Sequence, residues 1–140
     1  MQSARLIMYH KQSTSARTRF LLLPYGGVCA FEGLPAAAEL LDAGAETTST
    51  VALHPGALAG QAERELGFAP GSLEADGGFR AKVDVAGSPL EVRLARFTAV
   101  DPPFAPVEQS GARFIDLTQA RGLPAIELLL LRQAYERILG

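Results

Sequence analysis

The sequence predicts an α+β fold in a chain of 140 residues. Two kinds of pattern support this class: stretches that alternate apolar and polar residues, as half-buried strands do, and stretches whose apolar residues recur at helical spacing. No apolar run approaches the ~20 residues of a membrane span, so no membrane partner is expected. Hydrophobic residues make up 48% of the chain and charged residues 20%. This composition predicts a single domain over residues 1–140.

The first predicted elements are two strands. Residues 6–9 and 19–23 are short apolar runs, and the Ser/Thr-rich stretch between them is typical of an exposed loop. A Pro-Tyr-Gly-Gly turn breaks the second strand. Residues 28–31 are expected to resume it after the turn.

Two helices are predicted in the middle of the chain. Residues 36–43 are good helix formers, with a proline before them and a glycine after them, which are the residues favoured at these two ends. Residues 57–66 place apolar side chains at four-residue intervals and are also followed by glycine. Between the helices, residues 46–55 are expected to be extended or loop-like.

The clearest strand pattern covers residues 79–97, whose alternation predicts an antiparallel hairpin with one buried face. Residues 98–112 contain three prolines and are predicted to be an irregular connection, and residues 113–117 are predicted to be a last strand. The C-terminal helix, residues 124–139, carries four successive leucines at 128–131. These leucines surround the helix, so it should be buried on more than one side, by the core or by a second subunit.

Charge argues against nucleic acid as a partner. The chain has 13 basic and 15 acidic residues and a formal net charge of −2, which gives no overall basic field. The charged residues are unevenly distributed. Those in residues 1–20 are all basic, whereas most of those in residues 21–80 are acidic. The basic start could steer an anion towards the protein, or it could be an ordinary solvated surface.

The single cysteine, Cys29, excludes an intramolecular disulfide. Its apolar neighbours indicate a core residue rather than a nucleophile, and the cysteine usage fits a cytoplasmic protein. The two histidines, His10 and His54, lack the spacing of a zinc motif and are expected to be exposed. His54 also precedes a predicted helix start, where free backbone N–H groups suit an anion, which makes it a candidate ligand-binding residue.

The order of these elements resembles that of the Nudix hydrolases. The run Glu65-Leu66-Gly67-Phe68 looks like the end of the Nudix box, whose pattern is G, five residues, E, seven residues, then REUxEExGU with U aliphatic. In that family the box helix presents carboxylates to Mg²⁺ or Mn²⁺, which neutralises a diphosphate and activates a water. The resemblance implies an α/β/α sandwich with a mixed sheet and a metal-dependent pyrophosphatase site.

The box of this chain is degenerate. Gly60 and Gln61 stand where the family has Arg-Glu, and Arg64 stands in place of one of the two glutamates that follow. Glu65 remains and is the candidate metal ligand and catalytic residue, with Mg²⁺ as the cofactor if any activity is retained. Glu108 resembles the loop acid that serves as a base in many members, and is the second catalytic candidate.

Three other side chains are candidates for ligand binding. Arg64, in place of a carboxylate, would convert a metal-dependent site into a metal-free anion pocket. Glu63 is two positions from Glu65, and the alternative is that both are surface charges on different sides of the helix. Asp101 begins an Asp-Pro-Pro-Phe run that could form a lip over a cleft, or a stiff crossover with Phe104 tucked into the core.

Two functions follow from this sequence. The first is a Nudix-like domain with lost or altered pyrophosphatase activity that binds a nucleotide-type or other phosphorylated ligand. The second is a homodimeric interaction or scaffold module, which would use the leucine-rich helix and an exposed sheet edge. The motifs of serine hydrolases, P-loop proteins and Rossmann proteins do not occur in the sequence.

Overall fold

The computed structural model describes residues 4–13, 15, 17–30, 32–35, 37–41 and 55–139. In chain order the elements are β1 (Ala4–Lys11), β2 (Thr18–Leu22), β3 (Glu39–Leu40), α1 (Pro55–Leu66), β4 (Leu73–Val85), β5 (Ser88–Phe97), α2 (Phe104–Gln109), β6 (Arg113–Ile115), a 3₁₀ helix (Leu117–Gly122) and α3 (Ala125–Leu139). The strands form one sheet in the order β3-β4-β5-β1-β2-β6. β1 and β5 are parallel and the other neighbouring pairs are antiparallel. This mixed sheet with its helices confirms the α+β class.

The side chains of β1 show that the sheet separates two layers. Leu6 and Met8 belong to the apolar cluster that contains the buried residues of α1, whereas Ile7 and Tyr9 belong to the cluster that contains those of α3. Successive residues of a strand point to opposite faces of the sheet. α1 therefore packs on one face, the α1 face, and α3 packs on the other, the α3 face.

α1 confirms the second predicted helix. Leu58 and Ala62, four positions apart, are buried on the α1 face. The helix ends at Leu66, and the next residue, Gly67, has a φ of +77°, which glycine adopts without the penalty that a Cβ would bring. Phe68 then packs edge-on against Phe97, with 5.5 Å between the ring centroids. None of the helices among the described residues is long and apolar enough to cross a membrane.

β4 and β5 form the predicted antiparallel hairpin, but the prediction of one buried face is wrong for β5. Val92 and Leu94 are buried on the α3 face, and Glu91 and Arg93, which point to the other face, are buried as well. The reason is the position of β5, which lies between β4 and β1 in the interior of the sheet. Interior strands are covered on both sides, and alternation in one sequence does not reveal this.

β4 begins at Leu73, before the predicted start at residue 79, and contains a bulge. The register with β5 shifts between Asp76 and Arg80, so the intervening residues, including Gly77 and Gly78, have no partner in the ladder. Glycine in a strand interior often marks such a bulge, which bends the strand. Here it brings the start of β4 near the end of α3.

The helix predicted for residues 36–43 is wrong over the residues that the structure describes. The chain forms the short edge strand β3 instead, and Leu41 N donates a hydrogen bond to Lys82 O of β4 at 2.9 Å. Pairing with a neighbouring strand outweighs the helix propensity of a few alanine, leucine and glutamate residues. Most of the segment predicted to be extended, together with the end of that helix, falls in residues 42–54, outside the described residues.

Two connections also differ from the predictions. After the turn, the antiparallel pairing with β1 resumes only as an isolated bridge between Ala30 and Leu6, and residue 31 lies outside the described residues. Residues 98–112, predicted to be irregular, contain the short helix α2. Prolines are tolerated in the first turn of a helix, where the missing N–H would have no intrahelical partner.

α3 confirms the predicted C-terminal helix and accounts for most of its leucine run. Leu130 and Leu131 are fully buried in the core of the α3 face, and Leu128 is half-buried. Leu129 is 43% exposed. The sheet of the same chain therefore covers much of the run, and Leu129 alone among the four is left for a partner.

Glu127 ties the first turn of α3 to the loop after β2. Its side chain is 1% exposed, and Oε1 accepts hydrogen bonds from Val28 N at 2.8 Å, Cys29 N at 3.2 Å and the Tyr25 hydroxyl at 3.0 Å. Bonds to an ionised acceptor are stronger than neutral ones. Burial, together with the Glu127 charge, raises the pKa of the Cys29 thiol, so Cys29 is a protonated core residue, as predicted.

We predict that Glu127→Ala destabilises the protein by about 3 kcal/mol, because each buried donor left without an acceptor costs about 1–3 kcal/mol. Glu127→Gln keeps an acceptor oxygen and should lose less. Urea unfolding followed by circular dichroism measures both values. Glu136→Ala, exposed on the same helix, is the control and should change stability by less than about 0.5 kcal/mol. Equal losses in the Glu127→Ala and Glu136→Ala variants would contradict the role of Glu127.

Candidate functional site

The structure places Glu63 and Glu65 in different environments. Glu63 is 9% exposed, and its Oε2 accepts a hydrogen bond from Leu73 N at 3.0 Å, which ties α1 to the start of β4. Glu65 and its neighbour Arg64 are exposed. The expectation that both glutamates are surface charges is therefore wrong for Glu63.

Asp101 and Glu108 follow β5 in the sequence. Asp101 is exposed in the connection to α2, and Glu108 is exposed on α2 itself. α2 packs through Val107 into the same apolar cluster as α1. Phe104 is 48% exposed, with the Arg19 guanidinium 5.6 Å from its ring centroid, so the expectation that it is tucked into the core is wrong.

The candidate metal ligands do not form a cage. Among the residues that the structure describes, no group of three His, Cys, Asp or Glu side chains could hold a metal ion. The Glu63 carboxylate accepts a hydrogen bond from the backbone of β4, and Glu65 is exposed on α1. Mg²⁺ prefers several oxygen ligands in octahedral geometry. The described side chains do not fit a protein-held Mg²⁺ site.

His10 is buried, contrary to the expectation of an exposed side chain. It is 1% exposed, and Nε2 lies 2.8 Å from Ala99 O. Because a carbonyl oxygen only accepts, Nε2 must carry the proton. Nδ1 has no partner among the described residues. His10 thus anchors the segment after β5, while the candidate His54 lies outside the described residues.

A charged cluster that the sequence analysis did not single out lies on the α1 face of β4 and β5. Glu91 and Arg93 point to the same face as Ala95, which packs with α1, because alternate residues of a strand share a face. Their partners across the ladder are Lys82 and Arg80. We call these four residues the arginine cluster.

Glu91 holds the two arginines together. Arg80 and Arg93 are direct partners across the ladder, a position in which like charges repel. The Arg80 guanidinium contacts Glu91 Oε1 through Nε and Nη2, and Arg93 Nη1 lies 3.7 Å from Glu91 Oε2. Lys82, half-buried, faces Glu91 on the neighbouring strand. Two arginines pair with one carboxylate and Lys82 lies opposite it on the neighbouring strand, so the cluster has an excess of positive charge.

Arg93 is the most buried cation of the cluster. Its side chain is 10% exposed, and its Nε has no hydrogen-bond partner among the described residues. Arginine is seldom buried without full pairing, and a buried donor without an acceptor costs about 1–3 kcal/mol. Arg93 Nε is therefore a buried N–H group on the α1 face that lacks an acceptor among the described residues.

No protein-family model and no curated protein sequence matches this chain. Among solved structures it is similar to a C. elegans Ap4A hydrolase, with a TM-score of 0.52 and 18% sequence identity over 100% of both chains. The fold is Nudix-like. At this identity the likeness shows the fold and does not extend to activity or to individual residues.

In this Nudix-like fold, α1 is the helix that ends in the run resembling the end of the Nudix box. The arginine cluster lies on the same face of the sheet as that helix. Two of the residues suggested by the resemblance, Arg64 and Glu65, are exposed on α1. Charge at this face is thus supplied by arginine and lysine side chains as well as by the remaining glutamates.

We predict that Glu63 stabilises the fold and that Glu65 does not. Glu63→Ala removes the acceptor of Leu73 N and should lower the free energy of unfolding by about 1–3 kcal/mol. Glu65→Ala, at an exposed position two residues away, is the matched control and should stay within about 0.5 kcal/mol of the wild type. Thermal and urea unfolding measure both, and a larger loss in Glu65→Ala would refute the assignment.

Proposed function

We propose that this protein binds a nucleotide-type or other phosphorylated ligand on the α1 face, with cationic side chains in place of a metal ion. The single observation that carries this proposal is Arg93, a buried arginine whose Nε has no partner among the described residues. The Nudix-like fold supports a nucleotide-related ligand.

The chemistry of the arginine cluster suits a phosphate group. A guanidinium presents several N–H groups in a fixed plane and binds phosphate oxygens in pairs. Arg80 is half exposed and can meet a ligand from solvent, whereas Arg93 offers its Nε from the buried side. Glu91 contacts both guanidinium groups, so it orients them and limits their mutual repulsion.

The same arrangement argues for lost or altered hydrolysis. Arg64 stands where the family pattern has a glutamate, and the Glu63 carboxylate already accepts a hydrogen bond from the backbone of β4. Glu65 and Glu108, the catalytic candidates, are exposed carboxylates on α1 and α2. Cations at this face can neutralise a phosphate, but they do not activate a water as a metal ion does.

We predict that a nucleoside diphosphate raises the melting temperature equally in Mg²⁺ and in EDTA. At ~100 times its Kd a ligand stabilises by about 2.7 kcal/mol, which for a chain of this size is roughly 5–10 °C. Arg80→Gln, a change at a half-exposed side chain, should remove most of that increase. Arg121→Gln, exposed on the 3₁₀ helix, is the control and should retain it.

Two outcomes would contradict this proposal. One is the absence of any shift across nucleoside diphosphate derivatives. The other is a shift that needs Mg²⁺, accompanied by phosphate release that Glu65→Gln abolishes, which would establish metal-dependent hydrolysis instead.

The alternative function, a homodimeric interaction module, is favoured by one observation, the 43% exposure of Leu129 on α3. If α3 forms the interface, sedimentation should show a dimer, and Leu129→Glu should convert it to a monomer. Leu139→Glu, at another exposed leucine of α3, tests whether the effect is specific to Leu129. A wild-type monomer at all accessible concentrations would exclude this function.

A further inference from the structure

An open cavity of about 250 Å³ lies on the α3 face, where the bulge of β4 meets the last turn of α3. It is on the opposite side of the sheet from the arginine cluster, because Tyr9, in its wall, belongs to the core of the α3 face. The residues that give the cavity its chemistry are Tyr9, Glu74, Asp76, Gly78, Arg96 and Arg137.

Asp76 organises the donors around this cavity. Its Oδ1 accepts a hydrogen bond from Gly78 N at 3.0 Å and lies 3.4 Å from Arg137 Nη2, and its Oδ2 lies 3.3 Å from the Tyr9 hydroxyl. Burial, reinforced by the Asp76 charge, raises the pKa of Tyr9 to about 12, so the phenol keeps its proton at neutral pH. Because both carboxylate oxygens of Asp76 already contact donors of the cavity wall, Asp76 acts as a positioning residue that holds these donors in place.

The two arginines of the cavity keep free donors. Arg96 Nη2 lies 3.3 Å from Glu74 Oε2, and Arg137 pairs with Asp76 through Nη2 as well. A guanidinium has five N–H donors, and in the described part of the chain these ion pairs are the polar contacts that each arginine makes. The Glu74 side chain is 65% exposed. Exposed pairs of this kind contribute little to stability, so an incoming anion can replace Glu74.

We propose that this cavity is a second binding site, independent of the α1 face, which takes a small organic anion through the free N–H groups of Arg96 and Arg137. The group recognised is a carboxylate or a phosphate, both of which pair with guanidinium in a planar, two-point geometry. The volume of about 250 Å³ is below the ~300–1,000 Å³ of pockets for drug-sized ligands. The site therefore fits a compact anion and not a whole dinucleotide.

Gly78 is part of this site because it allows Arg137 to lie against the bulge. A Cβ at Gly78 would collide with the guanidinium of Arg137, whereas a Cβ at Gly77 would meet no atom within 4 Å. The colliding group is the end of a flexible side chain, so Gly78→Ala displaces Arg137 without a change of charge. Gly122→Ala adds the same methyl group in the 3₁₀ helix, where it meets no atom within 4 Å, and serves as the matched control.

The test is an NMR titration of the full ¹⁵N-labelled chain with sodium phosphate or sodium malonate, with sodium chloride at equal ionic strength as the reference. We expect saturable shifts at the amides of Gly77 and Gly78 and at the Nε–H of Arg137. Gly78→Ala and Arg137→Gln should each weaken binding roughly tenfold. Gly122→Ala, outside the cavity, and Arg132→Gln, at an exposed arginine of α3, should bind as the wild type does.

Saturation by phosphate or by malonate supports the site and identifies the group that it recognises. No saturable shift with either anion, or equal binding by the wild type, Gly78→Ala and Arg137→Gln, would overturn it. Shifts at the amides around Arg93 in place of those around Gly78 would locate the anion on the α1 face. That result would overturn the second site while it supported the proposed function.

Discussion

The parallel pairing of β1 with β5 is the constraint on which the other features of this protein depend. The two strands pair in register from Ala4 with Glu91 to Tyr9 with Arg96. This pairing puts both strands in the interior of the sheet, where each needs a covering layer on both faces. α1 and α3 supply these layers, and the alternation of β5 then sends Arg93 to one face and Arg96 to the other.

Polar residues on such an interior strand have an energetic consequence. Strands buried on both faces are usually rich in Val, Ile and Leu, whereas β5 carries Glu91 and Arg93 at buried positions. Replacing a buried ion pair by apolar side chains is often neutral or stabilising, so stability alone does not account for these charges. Their presence fits a binding role for the α1 face, and Glu63 and Glu127 show the other use of a buried carboxylate, as an acceptor for backbone N–H groups.

Local patterns in the sequence predicted the elements that local physics determines. α1, α3 and the β4–β5 hairpin follow from periodicity and from glycine or proline at their ends, and these were confirmed. β3 was missed because two residues carry no periodicity, and only their pairing with β4 makes them a strand. Glu63 and Arg93 were not recognised as buried because their partners, Leu73 and Glu91, are set by helix docking and by the interior position of β5.

The two edge strands, β3 and β6, span only Glu39–Leu40 and Arg113–Ile115. An edge strand offers its unpaired N–H and C=O groups to any extended chain, and the hazard of runaway association grows with its length. In the described part of the chain, β3 pairs only with Val83 and Asp84 near the end of β4, so most of the outer edge of β4 has no strand beside it. The unpaired ladder groups described here therefore lie mainly on β4 beyond β3, and the bulge at Gly77 and Gly78 interrupts this edge and bends it away from a flat template for further strands.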